Sequence, residues 1–369
     1  MKSTSHEAIR YNLSRRHFCC GAVSMALLAA VPRGFAAVAS KAAETDYMRH
    51  VNPELRIAAA AAMPMTESLA KISSSTLGAL RSSLEKMIPM PDPSVRITKH
   101  LVKGARNQPD VAVYVLNEKP GTRRPAIIHM HGGGYVLGAV AQDLPRLQAM
   151  ADSLDCVIVS VEYRLAPEVR YIDSVEDNYA ALKWVFEQSD ILGVDTTRVA
   201  VMGESAGGGH AALLAIKVRD RGEFPIAFQL LIYPMLDDRT GSTVQASAHT
   251  GQIIWTPASN AFGWRSFLGV RPGTAQVPHA GVPARTRELR GLAPAYICVG
   301  SVDLFVDENI KYANRLIDAG VATELLVVPG AFHGFDLFAP EAGCVKAFNS
   351  ARLYALRNAF REGGPVSRS

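Results

Sequence analysis

Between residues 95 and 328 the chain repeats one pattern: a short run of Val, Ile, Leu and Ala, followed by a longer amphipathic stretch. The runs predicted as strands span 95–102, 111–116, 126–131, 156–162, 199–202, 227–233, 295–299 and 324–328. Several are apolar at every position instead of at alternate ones. A strand with one wet face alternates, so continuous runs point to strands buried on both faces, as in a largely parallel sheet. The intervening stretches carry helix signals. Residues 173–188 open with Asp-Ser and an acidic first turn, and residues 306–320 end on a glycine suited to a C-cap. Repeated strand–helix units predict an α/β fold with a mostly parallel central sheet flanked by helices.

Two regions do not follow the pattern. Residues 44–87 read as helix, ended by three prolines within 88–93. Residues 237–284 contain few strand signals, several turn residues and the aromatics Trp255, Phe262, Trp264 and Phe267. The expected organisation is an N-terminal helical segment over 40–93 and a catalytic domain over 94–369. An insertion near 237–284 and the N-terminal helices together form a helical cap over the sheet edge. The aromatics are assigned to packing within the cap, with some lining a pocket.

Residues 1–39 read as an address. The paired Arg15 and Arg16 precede an apolar run over 21–31, and small residues at 37–39 offer a cleavage site. This is the pattern of a twin-arginine export signal, which predicts a mature chain beginning near Ser40 in a periplasmic or secreted location. The eleven-residue run is far shorter than the ~20 residues a membrane-spanning helix needs. Lys2, Arg10, Arg15, Arg16 and Arg33 against Glu7 hold +4 of the chain's net +5, so the remainder is nearly neutral. That balance gives no electrostatic basis for binding nucleic acid. Of five cysteines, Cys19 and Cys20 lie in the signal, and Cys156, Cys298 and Cys344 show no metal or redox spacing.

One stretch asks for chemistry. In Val199–His210, "VAVMGESAGGGH", an apolar run is followed by one serine among four glycines, Gly203, Gly207, Gly208 and Gly209. Each glycine inside a helix costs about 1 kcal/mol relative to alanine, so something must approach the backbone closely there. Gly203-Glu204-Ser205-Ala206-Gly207 is a G-x-S-x-G sequence between a strand and a helix, the context that exposes a serine on a sharp turn. Such a serine needs a base, and the base an orienting carboxylate. His333 lies in a loop after the last strand, and Asp303 follows the strand ending at 299, with Asp307 and Glu308 as competitors in the next helix. The order Ser205, Asp303, His333 is the nucleophile–acid–base order of α/β-hydrolases, and all three fall at carboxyl ends of strands.

The sequence "HMHGGGY" at 129–135 follows another buried strand. Its glycines free the backbone to aim N–H groups at a carbonyl oxygen, with Gly133, Gly134 and Ala206 as the donors of an oxyanion hole. The competing reading places His129 and His131 on one strand face as metal ligands. No further Asp, His or Cys cluster completes that set, so no metal and no cofactor are expected.

In its motifs the chain resembles the hormone-sensitive-lipase-like family of α/β-hydrolase esterases. The matching stretches are "HGGGY", "VEYRLAPE" (161–168), "GESAGG" (203–208), "LIYPMLDDR" (231–239), the Asp303 segment and "GAFHGF" (330–335). The resemblance implies an α/β-hydrolase core with a helical cap and hydrolysis of carboxylic esters with short to medium acyl chains. It implies the triad Ser205, Asp303 and His333, with Gly133, Gly134 and Ala206 as the oxyanion hole. Leu304 departs from the family, which usually has proline after the acid. The expected ligand is a small-molecule ester, and a homodimer is compatible with the sequence. A lactone or amide hydrolase with the same triad, or a non-catalytic binding protein on the same scaffold, are the alternatives; cleavage of a generic p-nitrophenyl ester separates the last from the others.

Overall fold

The computed structural model describes residues 46–88, 96–105 and 107–362. The stretch expected to be an export signal and its expected cleavage site lie outside the described residues, as do the prolines at 89–93. The eight strand segments form one sheet in the order β1-β2-β4-β3-β5-β6-β7-β8. They are β1 (Ile97–Val102), β2 (Val111–Leu116), β3 (Arg124–Met130), β4 (Val157–Glu162), β5 (Val194–Glu204), β6 (Phe228–Ile232), β7 (Ala295–Gly300) and β8 (Thr323–Val328). The first two pair antiparallel with each other and β2 pairs antiparallel with β4; every pairing beyond that is parallel. Strands β3, β6 and β7 are buried at every position, which accounts for their unbroken apolar runs.

Helices cover both faces. One core cluster includes Ile127, Met202, Leu230 and Phe335, and the other, on the opposite face, includes Ile128, Val201, Leu231 and Leu316. Neighbouring residues of one strand thus enter different layers, because side chains alternate across the sheet. The flanking helices are α1 (Arg56–Ala70), α2 (Leu77–Glu85), α3 (Leu144–Leu154), α4 (Tyr171–Glu187), α5 (Ser189–Leu192), α6 (Ala206–Arg221), α7 (Pro257–Leu268), α8 (Val306–Asp318), α9 (Phe335–Phe338) and α10 (Gly343–Glu362). None of the described helices is long and apolar enough to cross a membrane.

Some boundaries differ from those predicted. Strand β5 begins five residues early, because Val194 pairs with Arg124 across a register shift that lets a polar segment join the sheet. Helix α4 begins at Tyr171, and Asp173 sits in its first turn, where its carboxylate accepts from Arg170 N at 3.3 Å. The helical pattern over 44–87 resolves into two 3-10 turns and then α1 and α2, separated at 71–76.

The N-terminal helices and the segment between β6 and β7 pack together. Ile254 N donates to Thr66 Oγ1 at 2.8 Å, and Ser259 Oγ donates to Leu69 O at 3.0 Å. Arg81 of α2 reaches the main body, donating to Val136 O and Ala166 O at 2.9 Å each and pairing with Glu168. Further upstream, Asn52 donates from its backbone N to Gly330 O at 2.9 Å and from Nδ2 to Pro329 O at 3.2 Å. A residue near the upstream end of the described chain is therefore bonded to the loop that carries His333.

Candidate active site

The β5–α6 junction is forced into its shape by contacts its glycines permit. A Cβ on Gly203 would lie 2.2 Å from Gly207 O, and one on Gly207 2.0 Å from Met130 O. Helix α6 therefore lies directly on β3 and β5, and larger residues would push it away. The turn between them places Ser205 at φ 57 and ψ −120, a conformation that non-glycine residues rarely adopt. It is held from several sides: Ser205 N donates to Ile232 O at 2.9 Å, and Ser205 O accepts from Gly209 N at 3.0 Å and Met235 N at 2.9 Å.

Three strand ends meet above this turn. His333 Nε2 lies 2.9 Å from Ser205 Oγ, and His333 Nδ1 lies 2.8 Å from Asp303 Oδ2. Asp303 Oδ1 accepts from Phe305 N at 2.9 Å, so both carboxylate oxygens are engaged. The three side chains are nearly buried. Phe305 and Tyr233 present their rings edge-on to the His333 imidazole, at 5.1 and 5.0 Å between centroids. This chain of contacts lets a proton pass from the serine hydroxyl to the imidazole while the carboxylate faces the other ring nitrogen. The competitors of Asp303 are elsewhere. Asp307 is exposed, and buried Glu308 accepts from Leu236 N and Asp237 N. Burial raises the Glu308 carboxyl well above its ordinary value.

The glycine loop after β3 lies alongside. Gly133 has φ 124 and Gly134 has φ 60, both in the range that favours glycine. Gly133 O accepts from Val136 N and Leu137 N, closing the loop on itself. The N–H groups of Gly133, Gly134 and Ala206 donate to no described residue outside the regular elements. The Trp255 ring packs over Gly134 so closely that a Cβ there would lie 2.0 Å from it, and the same ring stands 6.5 Å from His333. It forms a wall between the glycine loop and the histidine. Phe267 and Trp264 pack instead on Tyr135, away from Ser205.

His129 and His131 do not converge on a shared point. His131 Nδ1 lies 2.8 Å from Gly132 O, and its ring stacks on Tyr163. His129 Nδ1 lies 2.8 Å from Ser160 Oγ and its Nε2 lies 2.9 Å from Glu204 Oε2. His129, Asp143 and Glu204 form a group of metal-ligand type. A cation is already built into it: Arg146 donates to Glu204 Oε1 at 2.8 Å and to Asp143 Oδ1 at 2.7 Å. These residues fit an internal ion network and not a metal.

That network is the part of the site that sequence reasoning missed. Glu204 is expected from its place in the turn to make a supporting hydrogen bond, but its partners lie 58 and 75 residues away. Burial alone would raise its carboxyl; the charges of Arg146 and His129 override that and hold it well below the usual carboxylate range. Asp336 continues the network, accepting from Tyr233 Oη at 2.8 Å beneath the His333 ring. His210, one turn into α6, faces away from Ser205 into Tyr135, Tyr163 and Phe267. Both its ring nitrogens lack partners among the described residues, and burial, with the charge of His131, pushes it down to about 3.

With strand-end triad geometry and this sheet in place, the class is defined: the chain belongs to the α/β-hydrolase-fold family, whose model matches residues 127–337. Within it the chain is one of the hormone-sensitive-lipase-like esterases, a carboxylic ester hydrolase. It is similar to Carboxylesterase NlhH of Mycobacterium tuberculosis, 37% identical over 243 residues, covering 64% of this chain and 74% of that one. Ethyl acetate hydrolase of Pseudomonas putida is 30% identical over 224 residues, 59% of this chain and 68% of the relative. Among solved structures, Bacterial Heroin Esterase superposes with a TM-score of 0.76 at 32% identity, covering 85% of this chain and 99% of that chain.

Proposed function

We propose that Ser205 is the nucleophile of this esterase, His333 its general base and Asp303 the carboxylate that orients and stabilises the imidazolium. The observation that carries this reading is the continuous contact Ser205 Oγ–His333 Nε2 at 2.9 Å and His333 Nδ1–Asp303 Oδ2 at 2.8 Å. Ser205 Oγ attacks the ester carbonyl carbon as its proton moves to His333 Nε2. The resulting oxyanion accepts from the N–H groups of Gly133, Gly134 and Ala206. When the C–O bond to the alcohol breaks, His333 returns the proton to the leaving oxygen, and the acyl group stays on Ser205. Water, deprotonated by His333, repeats the addition and frees the carboxylic acid and the serine. None of these steps draws on a metal or a cofactor.

The substrates proposed are esters with short to medium acyl chains. Supporting this is the Trp255 wall beside Gly134 and His333, which limits the width available to an acyl group. Residues 40–93 and the insertion near 237–284 act as the cap over this site. Residues 1–39 direct the protein by the twin-arginine route to a periplasmic or secreted location, on the strength of Arg15, Arg16 and the apolar run behind them.

The test is a series of p-nitrophenyl esters from acetate to palmitate, run with the wild-type protein and Ser205→Ala. The expected kcat/KM is high from acetate through octanoate and low for palmitate. Ser205→Ala should lower kcat by about 10³-fold or more with the fold retained. A preference for palmitate would overturn the acyl-length reading, and a Ser205→Ala protein with a tenth of the activity would overturn the nucleophile.

A further inference from the structure

At the end of the sheet opposite Ser205 lies a cleft of about 320 Å³ lined by Arg123, Arg124, Arg198, Arg357, Arg361 and Asp155. Arg198 and Glu204 stand six residues apart on β5, so about 20 Å of strand separates this cleft from the nucleophile turn. We propose that the cleft binds a phosphate monoester, carried either by a small soluble molecule or by a lipid headgroup. The proposal is independent of the hydrolytic site.

Charge supports it first. Beyond residue 39 the chain carries a net charge of only +1, yet five guanidinium groups surround this one space. Three of them are built into the fold. Arg124 is nearly buried and donates to Thr122 Oγ1 at 3.1 Å and Asp155 Oδ1 at 3.2 Å. Arg198 pairs with Asp195 at 2.8 Å and donates to Arg123 O at 2.9 Å. Arg357 donates to Ser153 O and Ser153 Oγ in the last turn of α3, where the helix carbonyls favour a cation.

The other two differ. The guanidinium groups of Arg123 and Arg361 are exposed, and neither bonds to a described residue. Asp155, Asp195 and the α3 terminus answer the three fixed arginines, which leaves two positive charges facing the cleft. A phosphate monoester carries about −2 at neutral pH and three acceptor oxygens. The planar fork of arginine suits those oxygens better than a lysine point charge does. Half-buried Leu154 and buried Phe360 supply an apolar side to the same cleft, against which the organic part of the ligand packs. The volume lies at the small end of the range for small-molecule sites, about 300 Å³ and up, which suits a headgroup-sized ligand.

Glycerol 3-phosphate, and vesicles of phosphatidic acid in phosphatidylcholine, are the probes. Each is titrated into the full chain and into the double variant Arg123→Gln/Arg361→Gln, with sodium chloride at matched ionic strength as the background. The two substituted side chains hold no part of the fold, so the variant should fold and hydrolyse p-nitrophenyl acetate at the wild-type rate. Expected is saturable binding with one site per chain, weakened at least ten-fold in the variant. Binding of glycerol 3-phosphate alone identifies a soluble ligand, and binding of the vesicles alone identifies a lipid surface. Equal binding by variant and wild type, or no binding of either probe above the chloride background, overturns the proposal.

Discussion

Asp303 and Asp307 lie four residues apart, and the difference between them separates chemistry from local electrostatics. Asp303 is buried with both oxygens engaged, one by His333; Asp307 is exposed in the first turn of α8. Asp303→Asn keeps the shape and removes the charge that stabilises imidazolium, so kcat should fall by about 10⁴-fold. Asp307→Asn should stay within a few-fold of wild type, and steady-state kinetics on p-nitrophenyl butyrate compares the two. A crippled Asp307→Asn would reverse the assignment. At this scale the meeting of Ser205, Asp303 and His333 was legible, because each stands beside a strand end that its apolar run announces. The partners of Glu204 were not. His129 and Arg146 reach it from other elements, and no local pattern records which buried carboxylate meets which distant cation.

Among the elements, the β5–α6 unit shows why a sequence would place glycines where a helix begins. Gly207→Ala puts a methyl group 2.0 Å from Met130 O, backbone that can move only with β3. Overpacking of this kind costs about 1–3 kcal/mol, and here it also shifts Ser205 relative to His333. The variant should unfold at lower urea and lose kcat together, whereas Gly222→Ala, with nothing within 4 Å of its Cβ, should keep kcat. Equal kcat in the two variants would contradict the packing account. The strands themselves were readable from their Val/Ile/Leu runs. The early start of β5 was not, since Asp195, Thr196, Thr197 and Arg198 carry no strand pattern and lie in the irregularity between the Arg124–Val194 and Ala126–Val199 pairs.

The whole molecule should be sensitive to acid. His210 sits at about 3 in the folded chain against an ordinary ~6.5, so between those values the unfolded chain binds the extra proton. Its contribution therefore falls as pH drops from about 6.5 toward 3, by up to ~1.4 kcal/mol per pH unit. The Glu204 carboxylate, held below its ordinary value, adds stability that is present above about pH 4.5 and lost below it. Urea midpoints should thus decline from pH 7 to pH 4, and His210→Leu should flatten the upper part of that decline; an unchanged slope would remove His210 as its source. The packing of α1 on the segment between β6 and β7 tests separately. Thr66→Val leaves the Ile254 N–H unpaired in a buried place, at a cost of about 1–3 kcal/mol. Hydrogen exchange at Ile254 should quicken while the amides of β5 keep their protection, and equal acceleration in both would mean this segment does not open on its own. The bond from Asn52 Nδ2 to Pro329 O in the histidine loop spans 277 positions of chain. A ribosome exposes Asn52 long before it has made Pro329, so this fastening closes only late in synthesis. The loop that carries His333 is therefore tied to a segment made near the start only after the last strand of the sheet has been made.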